Sequence, residues 1–384
     1  MPQGRPDPRL LLALAWLAGF TLIDSSIVSL ALPDIAADFD RSVGELAWVS
    51  TGYLLALAAT LLAAGRLNDR FGSRVVLGIG GAAFLLLTAA CGVAPTFELL
   101  VAARVGQGIA GGILYTVSLA IVVTAFPPER RAWAIGVYFT SGALGAVIGP
   151  VVGGVLTDLG GWRLVFLAQL PLPALVVLGA WLLLPAGGGR SRPMDLPGLL
   201  AASTFMVAAT LALLELAVPG AAVVALLAGV VAVVALATFV IVERRAAEPA
   251  VRLAIFANPR FVAATAAGAG AWFAIMSSVI YTAIYLQLAR GLSAADAGVI
   301  LLASPLVGLA FFPVAGRFVR AVGADNAMLL GLVILVAAAV GMVTWGATTP
   351  IWVVIAVQLL NGAGISITLV ASADDAMAQF TPAG

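Results

Sequence analysis

The sequence predicts an all-α polytopic membrane protein, and three observations carry that prediction. Hydrophobic residues fill 62% of the 384 positions and charged residues only 10%, against roughly 45–50% and about 25% in soluble domains. The apolar residues fall into runs long enough to cross a bilayer, whose core of about 30 Å takes about 20 helical residues. Between the runs, arginine collects in alternate connections, as it does when positive charge is retained on the cytoplasmic side.

Composition also excludes whole classes of function. The formal net charge is +1 and no basic stripe lies on a polar face, so nucleic acid is not an expected partner. Cys91 is the single cysteine, which rules out an internal disulfide and a thiol metal cluster. Histidine is absent, removing the commonest metal ligand and the side chain that titrates nearest neutrality. Any proton carrier must therefore be a carboxylate. The same absence removes the familiar histidine-based hydrolytic motifs, so no catalytic residue, metal or cofactor is expected, and no enzyme. The first apolar run carries Asp24 and has no convincing cleavage site, so it reads as a spanning helix rather than a cleaved leader.

Twelve runs follow in order: 10–32, 46–64, 75–94, 97–125, 132–156, 164–184, 196–218, 221–242, 261–289, 297–316, 327–346 and 351–373. The first holds Asp24 near its centre, where a charge costs about 2.5–3.5 kcal/mol on insertion scales. Such a carboxylate faces a cavity or partner, or makes a structural hydrogen bond to a neighbouring helix. The second and third are joined by GRLNDRFGSR at 65–74, and the fourth contains Arg104, which either pairs internally or snorkels to the surface. The fifth, GVYFTSGALGAVIGPVVGG at 136–154, is a poor helix for water, since interior glycine costs about 1 kcal/mol and proline about 3. Gly142, Gly145, Gly149 and Gly153 stack on one face and admit a close neighbour, while Pro150 is expected to bend the helix. The sixth opens with WRLVFLAQLP, an interfacial anchor, and PAGGGRSRP at 185–193 reads as a flexible linker closing a first six-helix lobe. Glu215 sits near one end of the seventh run, where a snorkelling or structural role is preferred to cation binding. Residues 243–260 are too short to span and read as a brief amphipathic interfacial piece. Polar groups in the later runs, Tyr281, Tyr285 and Gln287 in the ninth and Gln358 and Asn361 in the twelfth, join Gln107 as candidate substrate-cavity residues. Asp374 and Asp375 fall at the end of the twelfth and read as solvated.

Of 19 arginines, only Arg41, Arg163 and Arg290 fall in the connections assigned to the outside, with Arg104 inside a helix, which predicts a cytoplasmic N-terminus. An internal repeat supports two lobes. GRLNDRFG at 65–72 and GRFVRAVG at 316–323 share glycine, arginine, an apolar residue and glycine at identical spacing, with Arg320 where the first copy has Asp69.

Gly136, Gly145, Gly149, Pro150, Gly153 and Gly154 together resemble the antiporter motif of proton-coupled drug exporters of the major facilitator superfamily. The wording of 23–33 is similar to the first-helix signature of its fourteen-helix drug:proton antiporters, the EmrB/QacA type, with Ser25 in place of the usual threonine. GRLNDRFGSR resembles the superfamily loop between helices 2 and 3, with Asn68 and Ser73 as departures, and Arg104, Gln107 and Gly108 resemble its fourth-helix motif. The resemblance implies the superfamily fold with about 12 of an expected 14 transmembrane helices, the chain stopping at FTPAG short of the last two. Its implied division is a six-helix lobe at 1–184, a cytoplasmic linker with two extra linker helices and an interfacial segment at 185–260, and an incomplete four-helix lobe at 261–384. Asp24 would carry the proton with Arg104 tuning it, and Gly65, Asp69, Arg70, Gly72 and Arg74 would gate. The implied activity is proton-driven export of a lipophilic, often cationic, compound across the cell membrane by alternating access. The implied partners are the lipid bilayer, protons, that small substrate, and a source for the missing helices. Two alternatives stay open: a facilitator or importer of another solute, and a non-transporting fragment or assembly partner.

Overall fold

The computed structural model describes residues 8–28, 31–41, 43–184, 195–216, 220–246, 253–292 and 294–379. Among them the chain is helical throughout, in α1 (Pro8–Ile27), α2 (Leu32–Phe39), α3 (Val43–Phe71), α4 (Ser73–Gly92), α5 (Phe97–Ala125), α6 (Pro128–Leu167) and α7 (Pro171–Leu183). There follow α8 (Leu196–Leu216), α9 (Ala222–Arg245), α10 (Pro259–Ile284), α11 (Ala294–Leu301), α12 (Ala303–Val322), α13 (Ala324–Val343) and α14 (Ile351–Ala378). Ten helical stretches among the described residues are long and apolar enough to cross a membrane. The tenth expected run is divided at Leu302 into α11 and α12, and the fifth runs on into the sixth as α6.

The break in α6 lies at Gly160 and Gly161, not at Pro150. Gly161 takes φ 72°, a backbone conformation that side chains resist, and Gly160 is also non-helical. Pro150 lies inside α6 without interrupting it; its side chain is outside the described residues. The polar linker at 185–193 likewise lies outside them. Of the expected interfacial piece, Leu253–Ala257 forms a short 3-10 turn.

The helices pack in two groups. In the first, α1 lies along α6, α3 along α5, and α4 against α5 and α7; in the second, α10, α12 and α13 all pack on α14. The groups meet where α12 and α14 touch α6. Helices α8 and α9 pack chiefly on each other and reach the first group through α3. Their outer faces are bare hydrocarbon, with Leu213 70% exposed and Val223 and Val233 each 68%. Such faces are stable in lipid, where the internally satisfied helix is one of the two spanning structures available. The first core centres on Leu14, Leu17, Phe84, Leu114 and Tyr138. The second relies on smaller residues, Ala264, Ala267, Ala315 and Ala327 with Met328 and Val370, which lets its helices approach closely.

The repeat read from the sequence has a structural counterpart. Gly72 (φ 83°, ψ 150°) joins α3 to α4, and Gly323 (φ 87°, ψ 151°) joins α12 to α13. Each amide donates to the carbonyl four residues back, Gly72 to Asn68 and Gly323 to Val319, both at 2.9 Å. This conformation is essentially confined to glycine, so Gly72→Ala and Gly323→Ala are each expected to lose on the order of 1–3 kcal/mol. Thermal unfolding of the purified variants checks this, and parent-like melting of both would contradict the strained geometry.

One end of the first group is clamped by Asp38 of α2, which lies outside the spans. Arg163 Nη1 donates to Asp38 Oδ2 at 2.6 Å and its Nη2 to the Ala94 carbonyl at 3.2 Å, while Trp162 Nε1 donates to the same Asp38 oxygen at 3.1 Å. The hydrogen bonds from Arg163 and then Trp162 hold the Asp38 carboxyl below its ordinary value. The contribution of this clamp is therefore complete above the unfolded carboxylate range, about 3.9, and is lost as pH falls through the lower folded value. Melting curves between pH 6 and 3 are expected to fall less steeply for Asp38→Asn than for the parent, by a small, salt-sensitive amount because the pair is exposed.

Candidate functional site

Four helices bring polar side chains to one buried point of the first group, and a fifth adds an aromatic ring. Asp24 comes from α1, Arg104 and Gln107 from α5, Thr88 and Cys91 from α4, Tyr53 from α3 and Phe166 from α6. Asp24, Arg104 and Gln107 are each 0% exposed. Arg104 Nη1 donates to Asp24 Oδ2 at 2.6 Å and to Gln107 Oε1 at 2.7 Å, and Nε donates to the Val49 carbonyl at 2.9 Å. Gln107 Nε2 donates to Asp24 Oδ1 at 2.9 Å and to Thr88 Oγ1 at 2.7 Å. Thr88 returns its own proton to the Phe84 carbonyl at 2.7 Å, and Cys91 Sγ contacts Gln107 Oε1 at 3.6 Å. Both carboxylate oxygens of Asp24 are thus occupied. The guanidinium lies 4.3 Å from the Tyr53 ring centroid and 5.7 Å from that of Phe166, so aromatic faces stand where water would otherwise solvate it. Tyr53 is fixed in turn by donating to the Thr21 carbonyl at 2.9 Å. The snorkelling alternative for Arg104 is removed by this geometry.

The same stretch of α1 is gripped by the glycine face of α6. A methyl group at Gly142 would meet Leu22 Cδ1 at 2.8 Å, one at Gly145 the Gly19 carbonyl oxygen, and one at Gly153 the Ile27 carbonyl oxygen. At Gly149 it would strike Ser26 Oγ and stand 3.0 Å from the Ile23 carbonyl oxygen. The two backbones are therefore in direct contact on both sides of Asp24. Gly136 is buried and Gly154 partly so.

A second polar site lies between the two groups. A narrow cleft there is bounded by Phe139 and Thr140 of α6, Ile275 and Ser278 of α10, and Gln358 and Asn361 of α14, among others. Ser278 Oγ donates to Gln358 Oε1 at 2.9 Å. Thr140 Oγ1 and Asn361 Nδ2 are buried there without a hydrogen-bond partner among the described residues.

The family profile of the Major Facilitator Superfamily matches residues 14–384. The chain belongs to the Major Facilitator Superfamily. It is 32% identical over 379 residues to a tetracenomycin C resistance and export protein of Streptomyces glaucescens, covering 97% of this chain and 70% of that protein. It is 34% identical over 357 residues to a methylenomycin A resistance protein of Streptomyces coelicolor, covering 90% and 74%. With the multidrug efflux pump LfrA of Mycolicibacterium smegmatis the identity is 32% over 390 residues, covering 99% and 76%. Among solved structures, the proton:xylose symporter XylE shares the fold with a TM-score of 0.65 at 16% identity, covering 97% of this chain and 82% of XylE. The protein is accordingly a superfamily transporter and not an enzyme.

Within this superfamily member the predicted site residues separate into distinct places. Asp24, Arg104 and Gln107 meet in the buried cluster, so Gln107 binds Asp24 rather than lining the cleft. Gln358 and Asn361 do line it. Tyr281, Tyr285 and Gln287 are not brought there. Tyr281 is 70% exposed on the outer face of α10. Gln287 is exposed and turns back to the Ala283 carbonyl at 3.3 Å. Tyr285 donates to the Gly346 carbonyl at 2.8 Å and stacks on Trp345 with centroids 5.1 Å apart. A π-helical turn at Tyr285–Ala289 ends the ninth span. Of the loop residues, Gly65 packs near Thr116, Arg70 lies over the Phe71 ring at 5.3 Å and Arg74 over the Trp181 ring at 4.3 Å. Asp69 is exposed and makes no ion pair among the described residues. Thr88, Tyr53, Thr140 and Ser278 escaped the sequence reading.

Proposed function

We propose that the protein is a proton-coupled exporter of lipophilic compounds, with Asp24 as the proton site and Arg104 as its tuning partner. The observation that carries this is a single carboxylate sealed at the α1–α5 contact with both oxygens held by neighbours on α5. Protonation would convert an acceptor oxygen into a donor, break one of those two bonds and leave the guanidinium without its counter-charge. The arrangement that admits water to Arg104 would then be favoured, while deprotonation would restore the closed cluster. One proton moving down 100 mV supplies about 2.3 kcal/mol and each pH unit about 1.36 kcal/mol, enough for substrate gradients of tens-fold or more. Gly65, Asp69, Arg70, Gly72 and Arg74 form the gating loop in this scheme, and the glycine seam between α1 and α6 is the surface on which the helices rock. The N-terminus faces the cytoplasm of the cell membrane, as the arginine distribution supports.

The fourteen-helix drug:proton type is the finer assignment. It is supported by the position of α8 and α9, which pack on each other outside the two groups as an inserted pair would, with lobes at 1–184 and 261–384 on either side. The resistance and export functions named for the relatives support export over import. Energised everted vesicles containing the protein test the whole scheme, with ethidium and anthraquinone as side-by-side probes. Gradient-dependent accumulation abolished by an uncoupler is expected. Accumulation of neither compound, from vesicles shown to hold folded protein, would remove the exporter assignment.

A further inference from the structure

The internal repeat extends from the loop into the polar clusters. A methyl group on Gly108 of α5 would strike the Tyr53 carbonyl oxygen of α3, and one on Gly362 of α14 would strike the Ser304 carbonyl oxygen of α12. Gly80 of α4 likewise faces Leu114 of α5, as Gly331 of α13 faces Thr368 of α14. Counted along α5 and α14 from Gly108 and Gly362, Arg104 corresponds to Gln358 and Gln107 to Asn361, and Ser278 of α10 stands where Asp24 of α1 does. The bonds agree with the register. Arg104 and Gln107 hold Asp24 in the first group, and Gln358 accepts from Ser278 in the second. Every charged member of the first cluster thus has an uncharged counterpart. Asn361 Nδ2 stands in the cleft 3% exposed and, among the described residues, without a partner.

We propose that this cleft is a binding site for uncharged, largely apolar compounds bearing hydrogen-bond acceptors such as ring carbonyls, with Asn361 Nδ2 and Thr140 Oγ1 as the donors. An acceptor atom satisfies the Asn361 amide, which is otherwise buried at a cost. Phe139, Ile275, Pro305 and Leu369 cover the apolar body of the ligand. None of the described residues lining the cleft is ionisable, so a lipophilic cation entering it loses its hydration without gaining a counter-charge. The division of labour follows: the charged copy of the cluster handles the proton and the neutral copy the cargo.

The biological meaning of the site rests on the exporter assignment, but its test is equilibrium binding and needs no flux. Purified protein in detergent is titrated with anthraquinone and with tetraphenylphosphonium. Anthraquinone is expected to bind about tenfold or more tighter, and Asn361→Leu to weaken it about tenfold, the effect of one good hydrogen bond. Asn361→Asp keeps the shape while adding a carboxylate and is expected to reverse the preference. Equal or tighter binding of the cation by the parent overturns the proposal. So does binding of neither compound by folded parent, or unchanged affinities in both variants. Export failing in vesicles while this binding persists would instead remove the exporter assignment and leave the site.

Discussion

Arg104→Met destabilises the protein by about 3–5 kcal/mol, the typical cost of leaving one member of a buried ion pair uncompensated. The prediction is large because the surroundings offer Asp24 no escape. The carboxylate is 0% exposed, its Oδ2 loses the 2.6 Å bond from Arg104, and its remaining side-chain donor is the neutral Gln107. Asp24→Leu is expected to be of similar size, since it strands the guanidinium between Tyr53 and Phe166. The double variant Asp24→Leu with Arg104→Met decides what the pair is for. Replacing both charges by apolar groups of similar volume is often neutral or stabilising, so stability should largely return. Export should not return, because no group that takes up and releases a proton remains at the cluster. Melting temperatures and gradient-driven accumulation in vesicles read the two quantities separately. Recovery of both together in the double variant would make the pair a structural bond and take the proton away from Asp24.

Gly149→Ala separates α1 from α6 and stops transport. The added methyl group meets the Ile23 carbonyl oxygen at 3.0 Å and the Ile27 amide nitrogen at 3.1 Å, as well as Ser26 Oγ. Backbone atoms have no alternative rotamer, so the helices must move apart, at a cost of about 1–3 kcal/mol for overpacking. The displacement is applied one turn from Asp24 and so reaches the buried cluster directly. Gly270→Ala in α10 provides the contrast, because nothing lies within 4 Å of its added methyl group. That variant should match the parent or gain up to about 1 kcal/mol from improved helix propensity. A Gly149→Ala protein that melts and exports as the parent does would show that the seam opens at no cost during transport.

Much of the fold was legible because the bilayer imposes a simple rule, a long apolar run for each crossing, and the chain obeys it at nearly every helix. The departures are local. The tenth run splits at Leu302, where nothing in hydropathy distinguishes a break from a continuous helix. The fifth and sixth runs share one helix, α6, whose non-helical residues are Gly160 and Gly161, the latter at a positive φ that favours glycine, while the backbone stays helical through Pro150. Site residues divided along similar lines. Asp24 and Arg104 announce themselves because a charge in hydrocarbon must be paired or solvated. Tyr281 and Gln287 carry no such obligation, since an amphipathic side chain is stable facing lipid, cavity or headgroup. Their hydropathy alone could not tell which, and the packing of the helix leaves both on exposed faces.

By itself the sequence determined the membrane as solvent, the arginine asymmetry, the absence of histidine chemistry and the glycines that permit two backbones to touch, because each depends on residue type and spacing alone. Only the tertiary structure decided that Asp24 meets Arg104 and Gln107, residues 80 or more positions away in the chain. It alone decided that the Asn361 amide nitrogen is buried against a cleft whose described lining residues carry no charge. Pairing across helices depends on the rotation and register of each span. Those are set by close packing between neighbours rather than by the hydropathy of any one run.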